Sequence, residues 1–304
     1  MNTLYNLIKR NMLIYMRDKT AVFFSLLSML IVIGLMVVFL GNMNCDGVID
    51  LLKSYGGERN KVLDREHAVY LIQMWTVAGM LVVNSVTVTL TMIGIMVQDE
   101  SNKRLFSLYV APIKRVKIAL GYIVSAIIIG TLVCILTLFI SECYIALTGG
   151  DILHWVQILK ILGLIILNVS VYACIMFFVA MFVHSDSAWS GLGTIVGTLV
   201  GFVGAIYLPM GMLPEAVQNV LKWLPFLHGT SMMRKVFTED ALEITFKGLP
   251  EQVIDGYQTS MGIYIEANGE VMNNLIQIAC IIGFGVVALT IATLILRKRA
   301  IGDR

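Results

Sequence analysis

Residues 74–97 read MWTVAGMLVVNSVTVTLTMIGIMV, a run of 24 residues without a charged side chain. A predominantly apolar stretch of about 20 residues is long enough to span a bilayer as a helix. Inside lipid, every backbone N–H and C=O must be satisfied within the segment, so such a run is expected to be helical. We therefore predict that this stretch is a transmembrane helix and that the chain is an integral membrane protein.

The rest of the chain follows the same pattern. It has 304 residues, of which 58% are apolar and 14% are charged, whereas a soluble domain carries about 25% charged residues. The apolar runs predict an all-α membrane protein that forms one transmembrane domain, residues 1–304. Its six predicted spans are about 20–41, 74–97, 118–147, 158–183, 188–208 and 275–296.

The basic residues predict the orientation of these spans. Six spans would place four polar segments on one side of the membrane: 1–19, 98–117, 184–187 and 297–304. Together they hold 13 of the 22 Lys and Arg, and cytoplasmic loops carry an excess of these residues. Both termini are therefore predicted to be cytoplasmic, in the plasma membrane of a bacterium. The segments 42–73, read as a polar loop, and 209–274 are predicted to be external.

Two further segments have an amphipathic pattern. Residues 1–19 have basic and polar side chains on one side and apolar ones on the other, as in a helix that lies in the membrane interface. A second amphipathic helix is expected after Pro209 and Pro214 and before Pro225. It would rest in the outer leaflet or re-enter it, and an ordinary surface helix on an external loop is the alternative.

The sequence contains no motif for catalysis, phosphate binding or metal binding. It has no G-x-x-x-x-G-K-[ST], H-E-x-x-H or G-x-S-x-G, so we predict no catalytic residue, metal or cofactor in this chain. A net charge of +2 does not suggest nucleic acid as a partner. The only carboxylate within a predicted span is Glu142, which argues against an ion-coupled transporter with ionisable relays at depth.

Polar side chains recur on one face of the second predicted span. Asn84, Thr87 and Thr91 are three and seven residues apart and share a helix face. Polar side chains in a span face protein or a water-filled path rather than lipid. The face is a candidate lining of a substrate path, and interhelical hydrogen bonding is the alternative.

Small residues recur in the fifth predicted span. Gly193, Gly197 and Gly201 are spaced four residues apart, which lets a neighbouring helix approach closely. That neighbour could be a helix of the same chain or a second protomer.

The polar segment between spans two and three has a distinctive order of residues. Residues 99–112 read DESNKRLFSLYVAP. Its charged and apolar side chains suit a transient protein contact with an apolar centre and a charged rim, while an interfacial connector is the alternative. With its leading acids, Leu105, Leu108 and Pro112, the segment resembles the corresponding stretch of permeases of the ABC-2 superfamily. It departs from that pattern with Lys103 where glycine is usual, Phe106 where an acid is common, and alanine before the proline.

A second motif supports the same resemblance. Residues 209–214 read PMGMLP, with a further proline at 225, and they resemble the family's P-x-x-x-L-P motif before an external helix. The residues that match this external motif are Pro209, Leu213, Pro214 and Pro225. The overall order of interfacial helix, spans and polar segment is also similar to that of the family.

The resemblance implies a mechanism and partners. Two permease protomers, the same or homologous, would work in the membrane with two copies of a separate ABC ATPase, which would bind ATP and Mg²⁺. Segment 98–117 would dock on the ATPase as a cytoplasmic coupling helix. The coupling residues would be Asp99, Glu100, Lys103, Arg104, Leu105, Phe106, Leu108 and Pro112.

The sequence does not identify the cargo, and it leaves two other classes of function as alternatives. Spans with few ionisable residues favour an amphiphilic cargo such as a drug, a peptide antibiotic or a lipid. Export of a polysaccharide or a lipid-linked glycan is an alternative. Different classes altogether are a secondary transporter or channel that works without an ATPase, and a membrane scaffold.

Overall fold

The computed structural model describes residues 3–35, 41–57, 59–110, 113–267 and 269–298, and these residues are mostly helical. The helices, in chain order, are α1 Thr3–Arg17, α2 Lys19–Leu35, α3 Gly41–Tyr55, α4 Lys61–Ser101, α5 Arg104–Val110, α6 Arg115–Leu147, α7 Trp155–Ala180, α8 Asp186–Val203, α9 Glu215–Leu221, α10 Pro225–Phe237, α11 Glu239–Thr245, α12 Glu251–Ser260 and α13 Asn274–Lys298. A short 3₁₀ turn, Met210–Met212, and an antiparallel pair of two-residue strands, β1 Glu266–Ala267 and β2 Glu270–Val271, complete the description.

Four of the described helices are long and apolar enough to cross a membrane: α4, α6, α7 and α13. They contain the second, third and sixth predicted spans and most of the fourth, since α7 ends at Ala180. The most enclosed of the four is α4, which packs against α6, α7, α8 and α10. The prediction of a mostly helical chain with several helices able to cross a membrane is thus confirmed, while the exact spans stay a prediction.

The first and fifth predicted spans correspond to α2 and α8. The structure describes 17 residues of α2 and 18 residues of α8, and neither is among the four helices that meet the length and hydropathy of a span. Residues 36–40, at the predicted end of the first span, lie outside the described residues. The six-span topology therefore stays a prediction.

The prediction of a polar loop over 42–73 is wrong. The helix α3 fills its first part, because Val48 and Leu52 form an apolar stripe that is buried on the side packed against α4. The rest is the beginning of α4, where the Asn60 side chain accepts a hydrogen bond from the backbone N–H of Val62 at 3.1 Å and caps the helix. At 1.5 Å per residue, the 41 residues of α4 extend about 60 Å, roughly twice the apolar thickness of a bilayer.

The long helices define two ends of the molecule. The α5 end holds α1, which packs on α6, together with the end of α4, α5, the start of α6 and the turn between α7 and α8. The opposite end, which we call the α12 end, holds α3, the starts of α4, α7 and α13, and α9 to α12. Arg59 stabilises the α12 end, since it pairs with Asp64 at 3.0 Å and donates to the carbonyl oxygens of Thr245 and Lys247.

The region 209–274 is a folded unit of four helices and a hairpin. The predicted amphipathic helix is α9, which begins after Pro214, and Pro225 starts the next helix, α10. Val217 and Val220 of α9 are exposed. In contrast, α10 is largely buried against α4, α7 and α13. The two-stranded hairpin of β1 and β2 is an addition that the sequence did not predict.

Candidate functional site

A buried carboxylate joins three helices at the α5 end. The two terminal nitrogens of Arg10 in α1 each donate to one oxygen of Asp99 in α4, both at 2.7 Å. The hydroxyl of Tyr122 in α6 donates to Asp99 Oδ2, also at 2.7 Å. Such a bidentate pair is among the stronger hydrogen-bonded contacts in proteins, and the bonds to Asp99 raise the pKa of Arg10 above its ordinary value. We call this contact the Asp99 node.

The Asp99 node changes the interpretation of the acidic pair at 99–100. The sequence suggested that Asp99 is part of an exposed charged rim. The structure differs, because Asp99 is only 2% exposed. Its two oxygens accept three hydrogen bonds from groups of the same chain, because α1 packs along α6 and brings Arg10 to Asp99. Next to it, Glu100 lies 3.2 Å from Nδ1 of His184, in the turn between α7 and α8. The acidic pair therefore links α4 to its neighbours.

The helix α5 is short, and among its described side chains Leu105 and Leu108 attach it to the core. Leu105 is buried and Leu108 packs against the main core, while Lys103, Arg104 and Val110 are exposed. The sequence predicted that Leu105 belongs to the apolar centre of a docking surface. In the structure Leu105 is buried, so it is not available to a partner protein. The side chain of Phe106 and all of Pro112 lie outside the described part of the chain. The assignment of this segment to coupling stays a prediction.

Lys103 occupies the sharp turn between α4 and α5. Its φ is +60°, in the left-handed region that glycine adopts most readily. The turn follows directly from the end of α4, where the Lys103 N–H donates to the Glu100 carbonyl. This backbone conformation gives a physical reason for the glycine that the similar family pattern has at this position.

The polar face of α4 makes contacts within the chain. Asn84 is buried and donates through Nδ2 to Thr137 Oγ1 of α6 at 3.0 Å, which is the interhelical bond that the sequence offered as an alternative. Thr87 and Thr91 are partly buried and donate to carbonyl oxygens of their own helix. Of the candidate path residues, Asn84 therefore has a structural partner, and a path along Thr87 and Thr91 stays a prediction.

The three glycines of α8 have different surroundings. A Cβ on Gly193 would lie 3.2 Å from Leu90 of α4, and one on Gly201 would overlap the ring of Tyr207. A Cβ on Gly197 would meet no atom within 4 Å. Within the described chain the glycines therefore do not form one continuous contact with a neighbouring helix.

We expect Gly197→Leu to leave the stability of the chain unchanged, because its side chain would enter open space. Gly130→Leu is the matched variant in α6, where a Cβ would already lie 2.7 Å from the stiff, buried Val169. Overpacking at Gly130 should cost about 1–3 kcal/mol. The thermal unfolding midpoints of the two variants in detergent measure the difference, and equal losses would contradict the placement of α8.

A buried arginine, which the sequence did not single out, holds α10 in place. Arg234 is fully buried and donates to the carbonyl oxygens of Ala205 at 2.7 Å and Met261 at 3.0 Å. Its guanidinium lies 3.9 Å from the ring centroid of Trp75 in α4, a favourable cation–π distance. No periodicity predicts this contact, because the carbonyl groups belong to irregular segments 27 and 29 residues away.

The described residues contain no group of three or more His, Cys, Asp or Glu side chains placed to hold a metal ion. What the structure presents is a set of apolar helices long enough to cross a membrane, with an ion-paired carboxylate at one end and a folded unit at the other. These features define a helical membrane domain as the class of protein.

Comparison with family models identifies the family. The model described as ABC-2 family transporter protein matches residues 65–294. Since the match covers most of the chain, the protein belongs to this family. It is a transporter membrane component, and the predicted relation to the ABC-2 superfamily is confirmed. No curated protein matches the chain significantly.

Proposed function

We propose that this chain is the permease subunit of an ATP-driven exporter in the bacterial plasma membrane. Two protomers would form the substrate path, and two copies of a separate ABC ATPase would bind ATP and Mg²⁺. The six spans would be α2, α4, α6, α7, α8 and α13, with both termini cytoplasmic. The α12 end would lie outside, and α9 would be the amphipathic helix that rests in the outer leaflet or re-enters it.

The observation that supports this proposal most is the position of the Asp99 node beside α5. A force applied to α5 by a docked ATPase would act close to Asp99, which lies five residues before the start of α5. Asp99 is fixed to α1 and α6 through Arg10 and Tyr122. Because α4 packs against most of the other long helices, its movement would be passed to the whole domain. Rigid elements joined by such networks can move as a unit.

The distribution of charge supports the same orientation. Lys103 and Arg104 are exposed at the α5 end, and cytoplasmic segments of membrane proteins are rich in such residues. The cargo would be amphiphilic, since the described spans contain few ionisable side chains at depth. Candidate cargoes are a drug, a peptide antibiotic or a lipid, and export of a glycan is the alternative within the same class.

We expect the tagged chain, extracted in mild detergent, to co-purify with a soluble chain that contains G-x-x-x-x-G-K-[ST] and hydrolyses ATP. In proteoliposomes, movement of a fluorescent amphiphile should require ATP and should stop when the lysine of that motif in the ATPase is replaced by alanine. Movement driven by an ion gradient in vesicles that contain the permease alone would instead assign the chain to the secondary transporters.

A further inference from the structure

A large cavity lies at the α12 end, between α7, α10, α11, α12 and α13. Its volume is about 980 Å³, at the upper end of the range of about 300–1,000 Å³ for small-molecule sites. The floor is apolar and consists of buried side chains: Leu164, Met232, Leu242, Phe246, Leu249 and Ile263. This floor offers a surface on which a hydrocarbon chain can lie away from water.

The mouth of the cavity is charged. Lys160 and Glu239 face each other there at 3.9 Å and are both more than half exposed. Glu243 and Lys247 also line the cavity and are exposed. These charges are hydrated and of both signs, so they do not by themselves select a ligand.

Lys235 also lines the cavity and is more buried than Lys160 and Lys247, the two other lysines in its lining. It is half-buried, and its Nζ donates to Asn274 Oδ1 at 2.8 Å and lies 5.0 Å from the centroid of the Tyr264 ring. Within the described ranges, no carboxylate lies within 4 Å of its Nζ. Burial lowers the pKa of Lys235, as expected for an ammonium group without an anion beside it.

The ammonium group of Lys235 has hydrogen-bond donors left for a ligand. A lysine has three N–H donors and no acceptor, and one of the three is used by Asn274. An anionic oxygen is the partner that would offset the charge of a half-buried ammonium group best. The cavity also lies beside the first turn of α13 and the N-terminal part of α7, from Lys160 onward, where membrane-spanning helices would meet the polar layer of the bilayer.

We propose that this cavity binds one amphiphile with an anionic phosphate or carboxylate headgroup, which contacts Lys235 while its hydrocarbon chain lies on the apolar floor. Such a molecule could be a lipid of the surrounding membrane or the exported cargo. The site itself does not depend on the proposed function; only export of the bound molecule does.

Two variants test the two parts of the site. Lys235→Gln removes the charge, and Lys53→Gln, on α3 at the same end of the molecule, is its control. Gly163→Leu narrows the mouth; a Cβ at Gly163 would meet no atom within 4 Å, so the fold should accept it. Gly283→Leu is its control, since that glycine of α13 also faces open space but does not line the cavity.

The measurement is native mass spectrometry of the purified chain in an uncharged detergent, titrated with phosphatidylglycerol or with phosphatidylcholine. One phosphatidylglycerol should bind with an affinity about tenfold higher than that of phosphatidylcholine. Either cavity variant should lower the affinity for phosphatidylglycerol about tenfold. Both controls should bind as the wild type does. Equal binding of the two lipids, or wild-type binding by both cavity variants, would overturn the proposal.

A second arm separates the two sources of the ligand. In a complex with the ATPase, an exported ligand should raise ATP hydrolysis as its concentration rises, and Lys235→Gln should raise the half-maximal concentration about tenfold. A structural lipid should bind equally well while hydrolysis stays independent of its concentration. The titration without the ATPase tests the site alone, so a failure of the proposed function leaves its result unaffected.

Discussion

Arg10→Ala is expected to destabilise the chain more than any other single substitution of an N-terminal basic residue. It removes both 2.7 Å bonds to Asp99 and leaves a carboxylate that is 2% exposed with only the hydroxyl of Tyr122. Breaking a buried ion pair from one side costs about 3–5 kcal/mol. Because the Arg10 side chain is 32% exposed, we reduce the expected loss to about 2–3 kcal/mol.

Two further variants make this prediction specific. Arg17→Ala removes an exposed charge from the same helix and should leave the unfolding midpoint close to that of the wild type. Adding Asp99→Asn to Arg10→Ala removes the unpaired charge, so the double variant should recover part of the lost stability. If Arg10→Ala unfolds at the same temperature as Arg17→Ala, the Asp99 node does not exist as described.

The membrane-spanning part of the fold was the most predictable from the sequence. The cores of α4, α6, α7 and α13 coincide with predicted spans, because an apolar run long enough to cross a bilayer must satisfy its own hydrogen bonds. The beginning of α4 was missed because residues 61–66 include four charged side chains, which interrupt the apolar run. Their helical conformation depends on packing against α3 and α11 at the α12 end, and a hydropathy pattern does not record such packing.

The candidate sites were also predicted only in part, because local sequence patterns do not show tertiary contacts. The sequence identified residues 98–117 as a segment of interest, but it placed Asp99 on a surface, since its partner Arg10 is 89 residues away along the chain. Asn84 was predicted to share a polar face, and only the structure shows that Thr137 of another helix accepts its hydrogen bond. Contacts between distant residues come from the packing of helices, and no local pattern specifies them.

The second large effect is expected at α5, where the proposed ATPase would dock. Lys103→Glu combined with Arg104→Glu reverses two exposed basic side chains while Leu105 and Leu108 keep the helix in place. Charges at the rim of an interface act mainly on the rate of association and its salt dependence. We expect the apparent affinity for the ATPase to fall about tenfold or more at low salt.

Quantitative capture of the ATPase by the immobilised permease tests the central claim most directly. The matched control is Lys53→Glu with Lys61→Glu, two exposed lysines at the α12 end. We predict that the wild type and this control retain the ATPase equally at low salt, while the reversal at α5 loses most of it. Equal retention by all three proteins, or a loss confined to the Lys53 and Lys61 variant, would contradict docking at α5.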